Sequence, residues 1–257
     1  MINKPTSSLW LARPVPRPEA RLRLFCFPHA GGGVAVFRGW AQALPPEIEA
    51  CYVQLPGRDS RLREQLHDRL LPLADVVAET LLPRLDKPFA FFGHSMGALL
   101  SFELARKLRR HHGLNPVHLI VSGRRAAHLP DPAPPIHQLS EAGFVAAIRR
   151  RYDGLSDAVL REPELMQIFL PILRADLAMV ETYVCQPEDP LACPISAFGG
   201  LQDVNVSREV LDAWRVQTRG AFTLEMFPGN HFFLQSDQAL LLPVVSRELE
   251  QSLAQLA

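Results

Sequence analysis

Long apolar runs, paired cysteines and an excess of either charge are all missing from this chain of 257 residues. Basic and acidic residues balance at 27 each, so no global field draws the protein to nucleic acid or anionic lipid, and neither is expected as a partner. A charged partner would have to meet a local patch. The cysteines, Cys26, Cys51, Cys185 and Cys193, form no CxxC pair, and the first two lie in apolar runs that read as buried strands. This argues against a disulfide framework and against a metal site. The leader, with Asn3, Lys4 and Pro5 and then Arg13-Pro14-Val15-Pro16-Arg17-Pro18, lacks the apolar stretch of a signal peptide, and no later run reaches membrane-spanning length. The expected location is the cytoplasm. Gly31-Gly32-Gly33 has neither the GxGxxG spacing of a dinucleotide site nor the lysine of a P-loop, so no nucleotide cofactor is expected.

What is present is a regular alternation. Leu22 to Phe27 reads as a strand, followed by a glycine loop and a helical segment through Trp40 to Leu44. Ile48 to Leu55 and Phe89 to Phe92 read as strands, and Leu70 to Leu82 and Ala98 to Arg110 as helices. Val117 to Val121 is the next strand. The rhythm then breaks: a proline-rich stretch, Leu129 to Pro135, leads into helical patterns over Ser140 to Tyr152, Ser156 to Leu160 and a longer one from Pro163, whose apolar positions run from Leu165 to Val184. Strand Ile195 to Phe198, helix Ser207 to Thr218, strand Phe222 to Phe227 and a closing helix burying Leu240, Val244, Val245, Leu249 and Leu253 restore it. The pattern predicts an α/β fold, a mostly parallel doubly wound sheet in one domain over residues 1–257, with a helical lid inserted at about residues 128–192.

Gly93-His94-Ser95-Met96-Gly97 falls between an apolar strand and an amphipathic helix, the context of the G-x-S-x-G nucleophile elbow of α/β-hydrolases. A serine hydroxyl needs a neighbouring base to become nucleophilic. In this fold the acid and the histidine follow the serine in the chain, each in a loop after a late strand. Asp203 and His231 occupy those two places; read blandly, Asp203 would only cap the following helix. No other histidine of the nine follows a late strand, and the rival acids Asp176 and Glu181 fall on the lid helix. Backbone N–H groups of Ala30 and Met96 are the candidates for the oxyanion hole.

Four segments carry a family resemblance: Phe27-Pro28-His29-Ala30-Gly31-Gly32, Leu55-Pro56-Gly57-Arg58 with Arg61, the elbow through Ala98, and Gly229-Asn230-His231-Phe232-Phe233-Leu234. Together with Arg150-Arg151-Tyr152-Asp153-Gly154 and the run from Leu170 to Asp176, they resemble the type II thioesterases of polyketide and nonribosomal peptide synthesis, over about Arg21 to Leu249. The resemblance implies an enzyme that frees acyl groups from the phosphopantetheine arm of acyl or peptidyl carrier proteins, with Ser95, Asp203 and His231 as triad, Ala30 and Met96 at the oxyanion hole, and no cofactor beyond the substrate's own arm. Two positions depart from the family pattern: Asn230 stands where a second glycine is usual, and Val204 where a proline often follows the acid. The apolar lid helices suggest an acyl channel walled by Phe169 and Leu173. Arg58, Arg61, Arg149, Arg150 and Arg151 are expected contacts for an acidic carrier, or else solvated surface charge. A small-ester carboxylesterase and a catalytically silent carrier-binding module are the alternative readings.

Overall fold

A strand with apolar residues on both faces needs helices above and below it. The computed structural model of the protein, which describes residues 9–151 and 162–256, meets that need. Strands β1 (Leu11–Ala12), β2 (Leu22–Phe27), β3 (Ile48–Val53), β4 (Phe89–His94), β5 (His118–Ser122), β6 (Ile195–Gly200) and β7 (Phe222–Phe227) form one sheet in the order β1-β3-β2-β4-β5-β6-β7. All neighbours are parallel except β1, which runs antiparallel along the edge of β3. Strands β2 to β6 are buried along their whole length.

The helices are α1 (Trp40–Ala43), α2 (Leu70–Leu81), α3 (Met96–His112), α4 (Glu141–Arg151), α5 (Pro163–Glu181), α6 (Arg208–Asp212), α7 (Phe233–Ser236) and α8 (Gln238–Ala254). Successive strand residues serve opposite layers. Phe25, Phe27, Phe91, Leu119 and Val121 share a core with α2 and α3, whereas Leu24, Cys26, Ala90, Phe92 and Ile120 share one with α1 and α8. Among the described residues no helix is long and apolar enough to cross a membrane.

The chain winds from β2 to β3 on one side and returns to place β4 on the other. The crevice beyond the C-terminal ends of β2 and β4 is therefore a topological switch point, where open α/β sheets take their ligands. Between β5 and β6, α4 and α5 build a core of their own from Ile136, Phe144, Ala147, Ile148, Leu170, Leu173 and Leu177. Arg174 lies 4.2 Å over the Phe144 ring and donates to the carbonyls of His137 and Leu139. Glu181, from the end of α5, accepts the N–H groups of Ile136 and His137 and the His137 ring Nδ1 at 2.6 Å.

Some expectations change. The leader contributes β1, a two-residue strand whose pairing with Tyr52 and Val53 comes from its neighbour more than from its own pattern. In the closing helix the stripe facing the sheet is Leu241, Val245 and Leu249 with Leu242 and Leu253; Leu240 is 53% exposed. Leu165 is exposed, and Val184 is exposed beyond the end of α5. The segment expected as one helix from Ser207 divides into α6 and a 3-10 turn over Ala213–Gln217. The helix expected over Ser156 to Leu160, and Tyr152-Asp153-Gly154, lie outside the described residues.

Candidate active site

Strand β4 ends at His94 and α3 begins at Met96, leaving Ser95 alone to turn the chain, with φ +56° and ψ −111°. A non-glycine residue at positive φ is strained and persists only where its surroundings hold it. Here the Ser95 N–H donates to the Ser122 carbonyl at 2.7 Å, and the Ser95 carbonyl accepts the Ala98 N–H at 3.1 Å. The flanking glycines leave the room this turn requires. A Cβ on Gly93 would stand 2.1 Å from the Gly97 carbonyl oxygen, and one on Gly97 would stand 2.2 Å from the Phe27 carbonyl oxygen.

Asp203 and His231 come from the loops after β6 and β7. The two loops are sewn together: the Gln202 N–H donates to the Gly229 carbonyl at 2.9 Å, and the Gly229 N–H donates to Gln202 Oε1 at 2.5 Å. Gly229 takes the positive φ of that turn, whereas Asn230 does not, and Asn230 Oδ1 instead accepts the Phe232 N–H at 2.9 Å. Asparagine in place of a second glycine thus brings no backbone strain. Val204 is almost fully exposed, and the Asn205 N–H holds Asp203 Oδ1 at 2.9 Å. The other carboxylate oxygen accepts His231 Nδ1–H at 2.6 Å, with both side chains buried. That bond fixes the tautomer, because Nδ1 carries the proton and Nε2 is left with the lone pair of a base.

His94, the residue before the serine, is wholly buried and reaches the base from beneath. Its Nε2 lies 2.8 Å from the His231 carbonyl, which can only accept, so Nε2–H donates and Nδ1 accepts from the Ser122 hydroxyl at 2.9 Å. Burial, and the neighbouring His231, hold the His94 ring well below the usual histidine range. His29 is held down to about 4, again by burial first. Its Nδ1–H faces the Ala30 carbonyl at 3.0 Å, and its Nε2 is buried without a hydrogen-bond partner among the described residues. His231 therefore has two uncharged rings beside it at neutral pH.

Ser95 and His231 open into a cavity of about 70 Å³ whose remaining walls include Ala30, Ile148, Phe169, Leu173, Leu177 and Phe232. The structure thus places Phe169 and Leu173 over the serine. Among the described residues, no backbone acceptor takes the N–H of Ala30 or of Met96, which belong to the loop after β2 and the first turn of α3.

The arginines assigned to a carrier surface separate into two groups. Arg58 and Arg61 are 6% and 3% exposed, which corrects their reading as surface contacts. Arg61 stacks 3.6 Å over Trp10 and donates to the Gln54 carbonyl and Glu64. Arg58 forms a two-pronged pair with Asp176 of α5, at 2.6 and 2.8 Å, and donates to the Gly32 carbonyl at 3.2 Å. Asp176 also accepts the Gly31 N–H at 2.7 Å. The lid helix is thereby tied to the loop that carries Ala30. Arg149 and Arg150 are exposed, while Arg151 is half-buried, with Glu181 at 3.7 Å. Asp176 was legible in one respect, since at helical spacing it falls within the apolar stripe of Leu173, Leu177 and Val180, where a lone charge needs a partner.

Comparison with known proteins adds an independent line. The family described as "Thioesterase domain" matches residues 22–252. Linear gramicidin dehydrogenase LgrE of Brevibacillus parabrevis is 44% identical over 248 residues, covering 96% of this chain and 94% of that one. The word dehydrogenase describes that protein by name; the glycine loop here lacks dinucleotide spacing. The structure of RedJ, a thioesterase from the prodiginine pathway in Streptomyces coelicolor, is 44% identical, has a TM-score of 0.85, and is covered over 89% of its length by 92% of this chain. BorB, a type II thioesterase of the borrelidin biosynthetic cluster, is 34% identical with a TM-score of 0.83, over 94% of this chain and 97% of that one.

Proposed function

The chain belongs to the thioesterase family, and on that premise we propose that it hydrolyses acyl thioesters held on the phosphopantetheine arms of carrier proteins in nonribosomal peptide or polyketide synthesis, through Ser95, His231 and Asp203. The observation that carries this reading is the 2.6 Å bond from His231 Nδ1 to Asp203, which leaves Nε2 as a base in the same cavity as a strained, elbow-borne serine.

In the proposed cycle His231 Nε2 takes the Ser95 proton as Oγ attacks the thioester carbonyl. Negative charge gathers on the carbonyl oxygen, where the Ala30 and Met96 N–H groups would receive it; donors of this kind are each worth about a hundred- to a thousandfold in rate elsewhere. Asp203 steadies the imidazolium. Collapse breaks the C–S bond, and His231 returns its proton to the departing sulfur, an undemanding leaving group because a thiol has a pKa near 8.5, far below an alcohol. Water, deprotonated by His231, then attacks the acyl-serine, and collapse frees the acid and restores Ser95.

The test compares wild type with Ser95→Ala on an acyl carrier protein substrate. A loss of about 10⁴-fold or more in kcat is expected, and retention of most of the activity overturns the mechanism. Wild type should also favour the carrier thioester over an ethyl ester of the same acid. The reverse preference overturns the substrate assignment.

A further inference from the structure

An acyl thioester extends in two directions from the carbonyl carbon that Ser95 attacks, and a site that hydrolyses it needs room for both. Two clefts meet at Ser95 and His231. The first is the small cavity under α5, walled by Phe169, Leu173, Leu177 and Val180. The second, of about 170 Å³, leaves the same two residues in another direction, between the loop after β5, the stretch from Asp131 to Ala133, and the loop that follows the acid. Its walls are Gly123, Arg124, Arg125, Arg151, Asn205 and their neighbours. Three arginines in this cleft beside the nucleophile present donors among small apolar neighbours; of them only Arg124 also lines the cavity under α5, whose other walls are mainly apolar.

We propose that this second cleft is the channel for the pantetheine arm, with Arg125 as its principal hydrogen-bond donor, and that the cavity under α5 takes the acyl group; the assignment rests on the carrier-thioester reading above. The chemistry of the two limbs differs as the walls do. A pantetheine arm is a chain of two amides and a hydroxyl, rich in carbonyl acceptors, whereas a simple acyl group offers only apolar surface. Guanidinium groups carry N–H donors and no acceptor, so they match the arm and not the acyl chain. The larger cleft also suits the longer limb.

Arg125 is the best placed of the three. It is half-buried, and among the described residues its guanidinium donates to two backbone oxygens, those of Pro130 at 3.0 Å and Asn205 at 3.5 Å. Among the described residues no carboxylate lies within ion-pair distance of it, whereas Arg124 has Asp131 at 3.8 Å and Arg151 has Glu181. Asn205 is bound through its N–H to Asp203 and through its side-chain amide to the Arg151 carbonyl, so the wall of the cleft is continuous with the acid loop of the triad.

The experiment pairs two substrates with the same short acyl group: its thioester with pantetheine, and its thioester with ethanethiol, which has no arm. Arg125→Ala should lower the ratio of kcat/KM for the first over the second about tenfold, the scale of one hydrogen bond from a charged group. Ala133→Trp, at an exposed position on the cleft wall, should lower the same ratio while leaving the Arg125 side chain in place. Leu173→Trp, in the other cavity, should instead shift the preferred acyl length and leave that ratio within twofold of wild type. A ratio unchanged in both Arg125→Ala and Ala133→Trp overturns the channel, as does a loss confined to acyl groups bearing a carboxylate. If wild type hydrolyses no pantetheine or carrier thioester at all, the function proposed above is what fails.

Discussion

The sheet buries five strands between two layers of helix, and the two cores so formed hold all three tryptophans, Trp10, Trp40 and Trp214, whereas the lid's own core has, among the described residues, seven buried apolar side chains and no tryptophan. The division extends to chemistry. Ser95, Asp203 and His231 stand at the ends of β4, β6 and β7, while the lid supplies walls and carboxylates that tie it down, Asp176 to Arg58 and the loop after β2, and Glu188 to Arg109 of α3. On the proposed mechanism, reaction chemistry belongs to the part with the larger core. On the proposed reading, choice of acyl group falls to the part that can be rebuilt with fewer contacts at stake.

The sharpest way to expose this division is to injure each part separately. Asp203→Asn keeps the shape of the loop but presents the wrong hydrogen-bond pattern to His231, and kcat should fall about 10⁴-fold with the thermal midpoint within a few degrees of wild type. A comparable loss from Leu173→Ala in the lid would erase the division.

Next in size is the buried tie between α5 and the loops after β2 and β3. Asp176→Leu leaves Arg58 buried without its carboxylate and should cost about 3–5 kcal/mol in chemical denaturation. Adding Arg58→Met should restore most of that loss, since an apolar pair needs no solvation. With Phe169→Trp as a reporter in the lid, the Asp176→Leu protein should lose lid signal at lower denaturant than the signal of the native tryptophans. Coincident transitions would show that the lid does not loosen by itself.

The smallest effect concerns the sheet alone. His118, 3% exposed at the far end of β5, is held between the hydroxyls of Ser252 and Ser196, each at 2.8 Å, and burial lowers it from 6.5 to about 4. Below about 6.5 the unfolded chain gains a proton that the folded one refuses, so its contribution is full above that pH and is lost as pH falls toward 4, by about 3 kcal/mol. His118→Gln should flatten the fall in thermal midpoint between pH 7 and pH 4.5. An equal fall in both proteins would remove His118 from the account.

Much of the site was legible because its parts are local. The elbow needs glycines two residues either side of the serine, and the acid and base each need only a loop after a strand, which chain order reveals. The Arg58 to Asp176 pair spans 118 residues and exists only once the lid has folded over the loop after β2. A single sequence shows the two charges but not that they meet. Surface and interior arginines look alike in a sequence for the same reason, which is why Arg58 and Arg61 read as surface charge although the fold buries both.

His94 gives the elbow one more property. It immediately precedes the nucleophile and grips the backbone of the base, so Ser95 and His231 are mounted on a common bracket. A shift of β4 against β7 must stretch or break that bond, so the spacing of the two reactants is coupled to the register of those strands. Their alignment thus depends on a residue that touches neither reacting atom, beside the Asp203 bond and the backbone bonds of the elbow.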